Sequence, residues 1–424
     1  MRNLFILLCL NLCLTDLPGQ ADESGSSTRT PELPPIESLN LFFWDEAMMA
    51  QTAAGLHPVQ DGFLPAFEKL KRDAEAALSR GPFTVTDKTK LPPSGDPHDF
   101  STLSPYFWPI PFLPNGKPYY FRDGKVNPEA KSEAYDRERY FNFMRTLQAL
   151  AFGYAFTGNE RYAAHGAELA RIWFLNPDTS MNPHFQYAQA MPGWTRGSSL
   201  GVIRGSELVQ ILDTIHLIGL SDHWTEQDEG GLRAWYSRYL DWVTTSKFGI
   251  KDGKRKNNHG TYRDFHVAAI ALYVGRTNLA RDIISTVPER RFATQIKSDG
   301  SQPRELKRSR SWEYSLYNLR GLYSLAELGM PLGIDLWTHE MEDGTHPLRD
   351  ALDYLAPYAA EKKEWPYYQL NLIDDWRNEL GTHIFKRAVE IYGHKAYGDT
   401  LVFCDKLAPQ DRLRLLYHHP VETE

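Results

Sequence analysis

The chain has 424 residues, 42% hydrophobic, 24% charged and 13% aromatic, with 30 Gly and 27 Pro. That composition excludes a disordered chain, a collagen-like repeat and a disulfide mini-scaffold, and the length permits one large domain or two or three ordinary ones. Lys and Arg total 47 against 54 Asp and Glu, a net charge of −7, which argues against general nucleic-acid binding because that rests on neutralising phosphates.

In chain order, Met1-Arg2-Asn3, the apolar stretch Leu4 to Leu14 and the small-residue pattern Gly19-Gln20-Ala21 read as a secretory signal peptide over residues 1–21. A lipoprotein signal at Cys13 is the competing reading, opposed by Leu12 where a small residue is expected. Export leaves Cys404 as the sole cysteine, since Cys9 and Cys13 lie in the removed segment. No disulfide framework then exists, and the expected location is periplasmic or extracellular. Nothing later approaches the roughly 20 apolar residues of a membrane span. Residues 22–38 are rich in Ser, Thr, Pro and acid and read as a flexible lead-in, with order expected from Leu39.

Helical periodicity dominates from there. Tyr140, Phe143, Met144, Leu147, Leu150, Ala151 and Tyr154 place an apolar stripe on one face, Gly158-Asn159 breaks it, and Glu160 to Phe174 forms the next helix. The same alternation predicts helices at 204–219, 228–247, 261–274, 277–286, 313–328, 348–360 and 382–393, with Thr261 as a helix N-cap. Alternating β-type runs are scarce. An all-α chain of helix hairpins hides its apolar stripes in two packed layers, bundled or closed into a toroid. Without a Pro/Ser-rich linker between 40 and 415, one domain is expected over 39–415, with a tail at 416–424. Two segments break the pattern: 91–118 and 175–197 are long, aromatic and Pro-rich, as functional loops are.

Four constellations carry possible chemistry. Asp96-Pro97-His98-Asp99-Phe100 precedes Tyr106, Phe107 and Trp108; His98 beside Asp99 reads as an oriented base or as a loop hydrogen bond. Met181 to Ala190, with Tyr187, Gln189 and, beyond it, Trp194 and Arg196, supplies amides and rings that line a cleft or pin a loop. Asn257-Asn258-His259-Gly260-Thr261 stands where a helix dipole is positive, or is simply a capped turn. Finally, Arg304, Lys307, Arg308 and Arg310 lead into Trp312, Tyr314 and Tyr317. A run of cations is usually a solvated face, yet cations mixed with aromatics suit a sugar acid, since rings stack on pyranose faces and Arg forks pair with carboxylates.

These runs also resemble a known family. The stretch around His98 (KHDY-like, then APYWWP-like), Asn182 to Gln189 (MNPxxxYAQ-like), NNHGTYRDFHVAAIALYVG at 257–275 and the ELxRxxSWxYSLYNL-like stretch at 305–319 together resemble the bacterial alginate lyase superfamily, most closely polysaccharide lyase family 38, over roughly residues 85 to 390. The resemblance implies an (α/α) toroid and β-elimination on a polyuronate, with Asn258 and His259 matching the family's Asn-His pair, Tyr314 its catalytic tyrosine and Arg308 the preceding arginine. Pro97, Phe107 and Glu313 depart from the commonest pattern, in which Lys, Trp and His stand at those places.

β-Elimination removes a C5 proton that lies α to a carboxylate already negative, so extra charge must be absorbed. The expected roles are Asn258 and Arg308, with His259, on the C6 carboxylate, and Tyr314 as base and then acid where C5–H and O4 share a face, as in mannuronate. For a guluronate-like epimer His259 is the base. Arg310 and Lys307 are expected to lower the tyrosine's pKa. Expected substrate contacts are His98, Tyr106, Trp108, Tyr187, Gln189, Arg196, Asn257, Arg304, Arg310 and Tyr317. Two other classes compete: a glycoside hydrolase, with Asp374, Asp375 and Glu305 as candidate carboxylates, and a non-catalytic polyuronate-binding protein. There is no HExxH and no Cys pair, and His418-His419 sits in the tail, so neither metal nor cofactor is expected. The expected partner is an acidic polysaccharide met by a monomer; Lys254-Arg255-Lys256 and the 304–310 cations put basic runs before both halves of the site despite the acidic average.

Overall fold

Residues whose apolar side chains recur every three and four positions bury that face by folding as helices. The computed structural model describes residues 33–56, 62–370, 381–404 and 407–416; the signal-peptide segment, Cys9, Cys13, Asp374, Asp375, His418 and His419 lie outside them. The helices are α1 (Glu46–Gly55), α2 (Leu64–Ala77), α3 (Arg137–Thr157), α4 (Glu160–Phe174), α5 (Gly205–Ile218), α6 (Glu226–Thr245), α7 (Lys247–Gly253), α8 (Asn258–Tyr273), α9 (Thr277–Ser285), the single turns α10 (Ala293–Gln295) and α11 (Pro303–Leu306), α12 (Ser311–Gly329), α13 (Pro347–Ala359), α14 (Thr382–Tyr392), α15 (His394–Cys404) and the single turn α16 (Leu413–Leu416). No helix among the described residues is long and apolar enough to cross a membrane.

The punctuation follows the sequence. Gly158, at φ 66°, ends α3 in the left-handed conformation that glycine adopts freely, and Asn159 Oδ1 then accepts the Arg161 N–H at 3.1 Å to start α4. One boundary differs from expectation: α8 starts at Asn258, and Thr261 lies inside its first turn, fully buried, donating its hydroxyl to Gln295 Oε1 at 3.0 Å. Thr261 therefore does not cap the helix. Packing also begins a few residues before Leu39, since Ile36 is buried.

Helices α3, α5, α8 and α12 touch in that order and are buried around most of their circumference. Against them pack α4, α6, α9 and α13, which bury one side only. This is the two-layer (α/α) toroid. Much of the aromatic surplus fills it: Phe143 stacks on Trp173 at 4.6 Å between centroids, and Tyr140, Trp235, Tyr236 and Tyr239 are fully buried nearby. Because each outer helix returns the chain, the inner helices start at one common end.

That end carries the two irregular segments. Strand β1 (Ser101–Leu103) pairs in parallel with β4 (Tyr187–Ala190), and β2 (Phe107–Trp108) pairs antiparallel with β3 (Tyr120–Phe121). The opposite end is closed by the N-terminal segment, whose Phe42, Phe43 and Trp44 N–H groups all donate to the buried Asp213 carboxylate, at 2.7 to 3.1 Å.

Candidate active site

Two inner helices set the geometry. The rings of Tyr262 on α8 and Tyr317 on α12 stack at 4.1 Å, the Tyr262 hydroxyl donates to the Tyr317 carbonyl at 3.0 Å, and Gln295 Oε1 accepts from both Thr261 and Asn318. The helices run parallel here. His259 and Tyr314 each lie three residues before the stacked pair, so each stands about one turn nearer its helix start, on the same side as its stacked tyrosine. Backbone N–H groups at both starts make this mouth electropositive.

Tyr314 is held on two sides. Its hydroxyl lies 3.4 Å from that of Tyr106, and the Arg308 guanidinium lies over its ring, 3.7 Å from the centroid. Burial pushes the phenol pKa above its ordinary value and Tyr106 adds to that, while Arg308 pulls it down. The expectation that Arg310 and Lys307 lower it is corrected: Arg310 pairs with Glu313 at 3.3 Å and reaches the Gly124 carbonyl, and Lys307 lines a groove with other cations. Arg308 is itself anchored, its Nε and Nη2 donating to the two oxygens of Asp123 at 3.2 and 2.8 Å. Asp123 also accepts the Ser309 N–H at 2.9 Å; burial raises its carboxyl, but these donors outweigh that and hold it below the usual range.

At the start of α8, Asn258 is buried and donates both its backbone N–H and Nδ2 to Glu305, each at 2.7 Å. Glu305 is thus an anchor for this turn, itself raised in pKa by burial. His259 Nδ1 lies 3.3 Å from Oδ1 of the fully buried Asp252, which also faces Arg255 Nε at 3.0 Å. That leaves Nε2 of His259 as the nitrogen turned away from the carboxylate. The segment carrying Asp252 is tied down by Arg291, which donates to the carbonyls of Gly253 and Arg255 and to the buried Asp264.

The remaining expected contacts divide. Asn257 and Arg304 share a basic groove beside the Asn258–Glu305 pair. Trp108, half-buried, donates Nε1 to the Lys125 carbonyl at 2.9 Å with Arg122 over its ring. Tyr187 sits in register with Ser101 on β4. Gln189, at φ 50°, donates Nε2 to the Leu200 carbonyl at 2.9 Å, so its amide braces the loop. Tyr317 is the stacked partner of Tyr262 within the helix contact. Arg196 is exposed, in a separate cavity with Lys90, Lys117 and Trp194. His98 and Asp99 do not form a dyad: His98 Nδ1 bonds the Ser180 carbonyl at 2.7 Å, while Asp99 meets His184 at 3.1 Å, Asn182 at 2.7 Å and Ser94 at 2.6 Å. His266 belongs to the core, bonded to Tyr239 at 3.1 Å and pushed down to about 3 by burial.

Sequence reading missed Asp252 and Asp123. Each is a single acid beside a glycine, with no motif around it, and Asp123 meets an arginine 185 residues away. Only the fold brings such pairs together.

The comparisons with known proteins bear on the family and the fold. Residues 84–365 match the family model described as alginate lyase. An alginate lyase from Bacteroides ovatus is 31% identical, with 89% of this chain and 99% of that one covered and a TM-score of 0.85. Alginate lyase A1-III from Sphingomonas species A1 is 15% identical over 88% of this chain and 95% of that one, at a TM-score of 0.51, a likeness of fold; a variant of that enzyme complexed with a tetrasaccharide matches at the same identity and TM-score, over 88% of this chain and 94% of that one. Among curated proteins, no relative matches the sequence. With most of its length matched by the family model, and a solved relative superposing over nearly the whole fold, the chain belongs to the alginate lyase family of polysaccharide lyases.

Proposed function

We propose that the protein is an exported, monomeric lyase that cleaves 4-linked polyuronate, most simply alginate, by β-elimination, leaving C4=C5 unsaturated uronate ends. The observation that carries this reading is the placement of His259 and Tyr314 at the neighbouring starts of two parallel helices, one turn from the Tyr262–Tyr317 stack. The nearest motif resemblance, to polysaccharide lyase family 38, and the known alginate lyases of similar structure support the same substrate class.

In the proposed step a base takes the C5 proton, its electron pair forms C4=C5, and the C4–O4 bond breaks with a proton delivered to O4. Tyr314, kept as a phenol by burial, is the proton donor to O4. His259, with Nδ1 toward Asp252, presents Nε2 as base for a guluronate-like epimer. For mannuronate, where both atoms share a face, Tyr314 takes both roles, and the Arg308 cation over its ring favours the phenolate that this requires. Charge developing on the C6 carboxylate is met by the helix starts, by Arg308 and by the second Nδ2 hydrogen of Asn258. Tyr317 acts as a helix brace through its ring, stacked on Tyr262, while His98 Nδ1 and Arg310 Nη1 brace the loops.

The test is Tyr314→Phe in the purified mature protein. Appearance of the ultraviolet-absorbing unsaturated uronate on mannuronate-rich, guluronate-rich, mixed alginate and glucuronan should fall at least a thousandfold, on the order expected for loss of a general acid–base group. Undiminished turnover would overturn the assignment, and saturated products from the parent protein would point instead to hydrolysis.

A further inference from the structure

Beside the Asn258–Glu305 pair, a groove of about 810 Å³ is lined by Lys254, Arg255, Lys256, Lys297, Arg304 and Lys307, with no carboxylate among its lining residues. Arg255 is held by Asp252 at 3.0 Å and Ser199 at 3.1 Å. The other five make no ion pair among the described residues, and Lys254, Lys256, Lys297, Arg304 and Lys307 are exposed. Uncompensated like charges repel one another, and this chain has an excess of acid with which to pair them. Six cations around one concavity are suited to an anion.

The groove adjoins the site along the chain: Asn257 lines it while Asn258 bonds Glu305, and Arg304 lines it while Glu305 turns inward. No aromatic ring lines it, so it lacks the stacking platform of a single-stranded nucleic-acid groove. Lysines outnumber arginines. A hydrated ammonium on a flexible stem attracts carboxylates without the bidentate geometry that an Arg fork imposes, so it retains a chain without fixing its register.

We infer that this groove is an exosite for the polyuronate itself, binding the carboxylates of sugar units well outside the reacting linkage and so keeping a long chain attached between successive cuts. The inference rests on the lyase reading above. Attachment at a second place raises the effective concentration of linkages at the mouth, and it acts only on polymers long enough to occupy both places.

The experiment is the combined variant Lys254→Ala, Lys256→Ala and Lys297→Ala, three exposed side chains given no part in the elimination. On long alginate, KM should rise about tenfold with kcat unchanged, and the dependence of KM on salt should flatten. On a tetrasaccharide both constants should be unchanged. In parallel, retardation of the protein in a native gel containing alginate, measured in the Tyr314→Phe background, should be lost in the combined variant. A KM on long alginate that does not move, or a tetrasaccharide KM that rises as much as that of the polymer, overturns the exosite while leaving the lyase reading intact. Lost retardation in the combined variant together with no unsaturated product from the parent protein, its Tyr314 intact, overturns the lyase reading and leaves polyuronate binding by the groove. Equal retardation on heparin, inorganic polyphosphate and alginate, abolished equally by the variant, would reduce the groove to a general anion exchanger and overturn its assignment to polyuronate.

Discussion

Tyr314 is subject to two opposed influences at its hydroxyl, burial that favours the phenol and a guanidinium that favours the phenolate, and its proposed chemistry depends on both being fixed in place. Arg308 is fixed by Asp123, and His259 is set against Asp252. Neither acid was legible in the sequence, whereas Tyr314, His259 and Asn258 stood within long motifs. In the proposed mechanism Asp252 is a positioning residue: replaced by Asn, it keeps its shape but loses the charge beside the imidazole. Asp252→Asn should lower kcat by about tenfold or more with KM nearly unchanged and should shift the pH profile of kcat. A purely structural role would show as a lower melting temperature with an unaltered profile. Glu305, one of the candidate hydrolase carboxylates, is buried and committed to Asn258, which places it among the supports of the site.

Among the elements, the start of α8 is the most constrained. Gly260 lies in its first turn, and a Cβ there would overlap the Arg255 carbonyl and the Arg291 guanidinium that hold the Asp252 segment. Gly230 on α6 has open space around the same atom. Gly260→Ala should therefore destabilise the protein by about 1–3 kcal/mol, the usual cost of overpacking, and reduce turnover with it. Gly230→Ala should stabilise it by roughly 0.5–1 kcal/mol through helix propensity alone. Denaturant midpoints with an unchanged slope check both. Most helices were readable because stripe and breaker coincide, as at Gly158-Asn159. The reading failed where a local cap moves the boundary: the predicted 228–247 helix stops at Thr245, because Ser246 is extended and caps α7 through the Gly249 N–H at 3.1 Å.

At the scale of the molecule, the two ends of the ring differ in purpose. One bears the helix starts, the aromatic loops and the cations; the other is strapped by residues 42–44 onto Asp213, deep in the core and without a cationic partner among its hydrogen bonds. Burial pushes Asp213 up to about 7 against the pull of three backbone N–H donors. Its folded pKa exceeds the ordinary 3.8, so its contribution to stability is complete below that value and is lost as pH rises toward about 7. The melting-temperature gap between the parent protein and Asp213→Asn should thus be larger at pH 5 than at pH 8; a gap that widens with pH would mean that the strap is held by the ionised carboxylate. By itself the sequence determined the helical class, the order of the hairpins, the aromatic loops and the residues proposed for the chemistry, because periodicity, capping and motif are written in neighbouring positions. Only the tertiary structure decided which acids hold Arg308 and His259, that His98 and Asp99 look in different directions, and that six cations from separate segments face one groove. Those facts depend on pairs brought together across the chain, and local pattern holds no record of such distances.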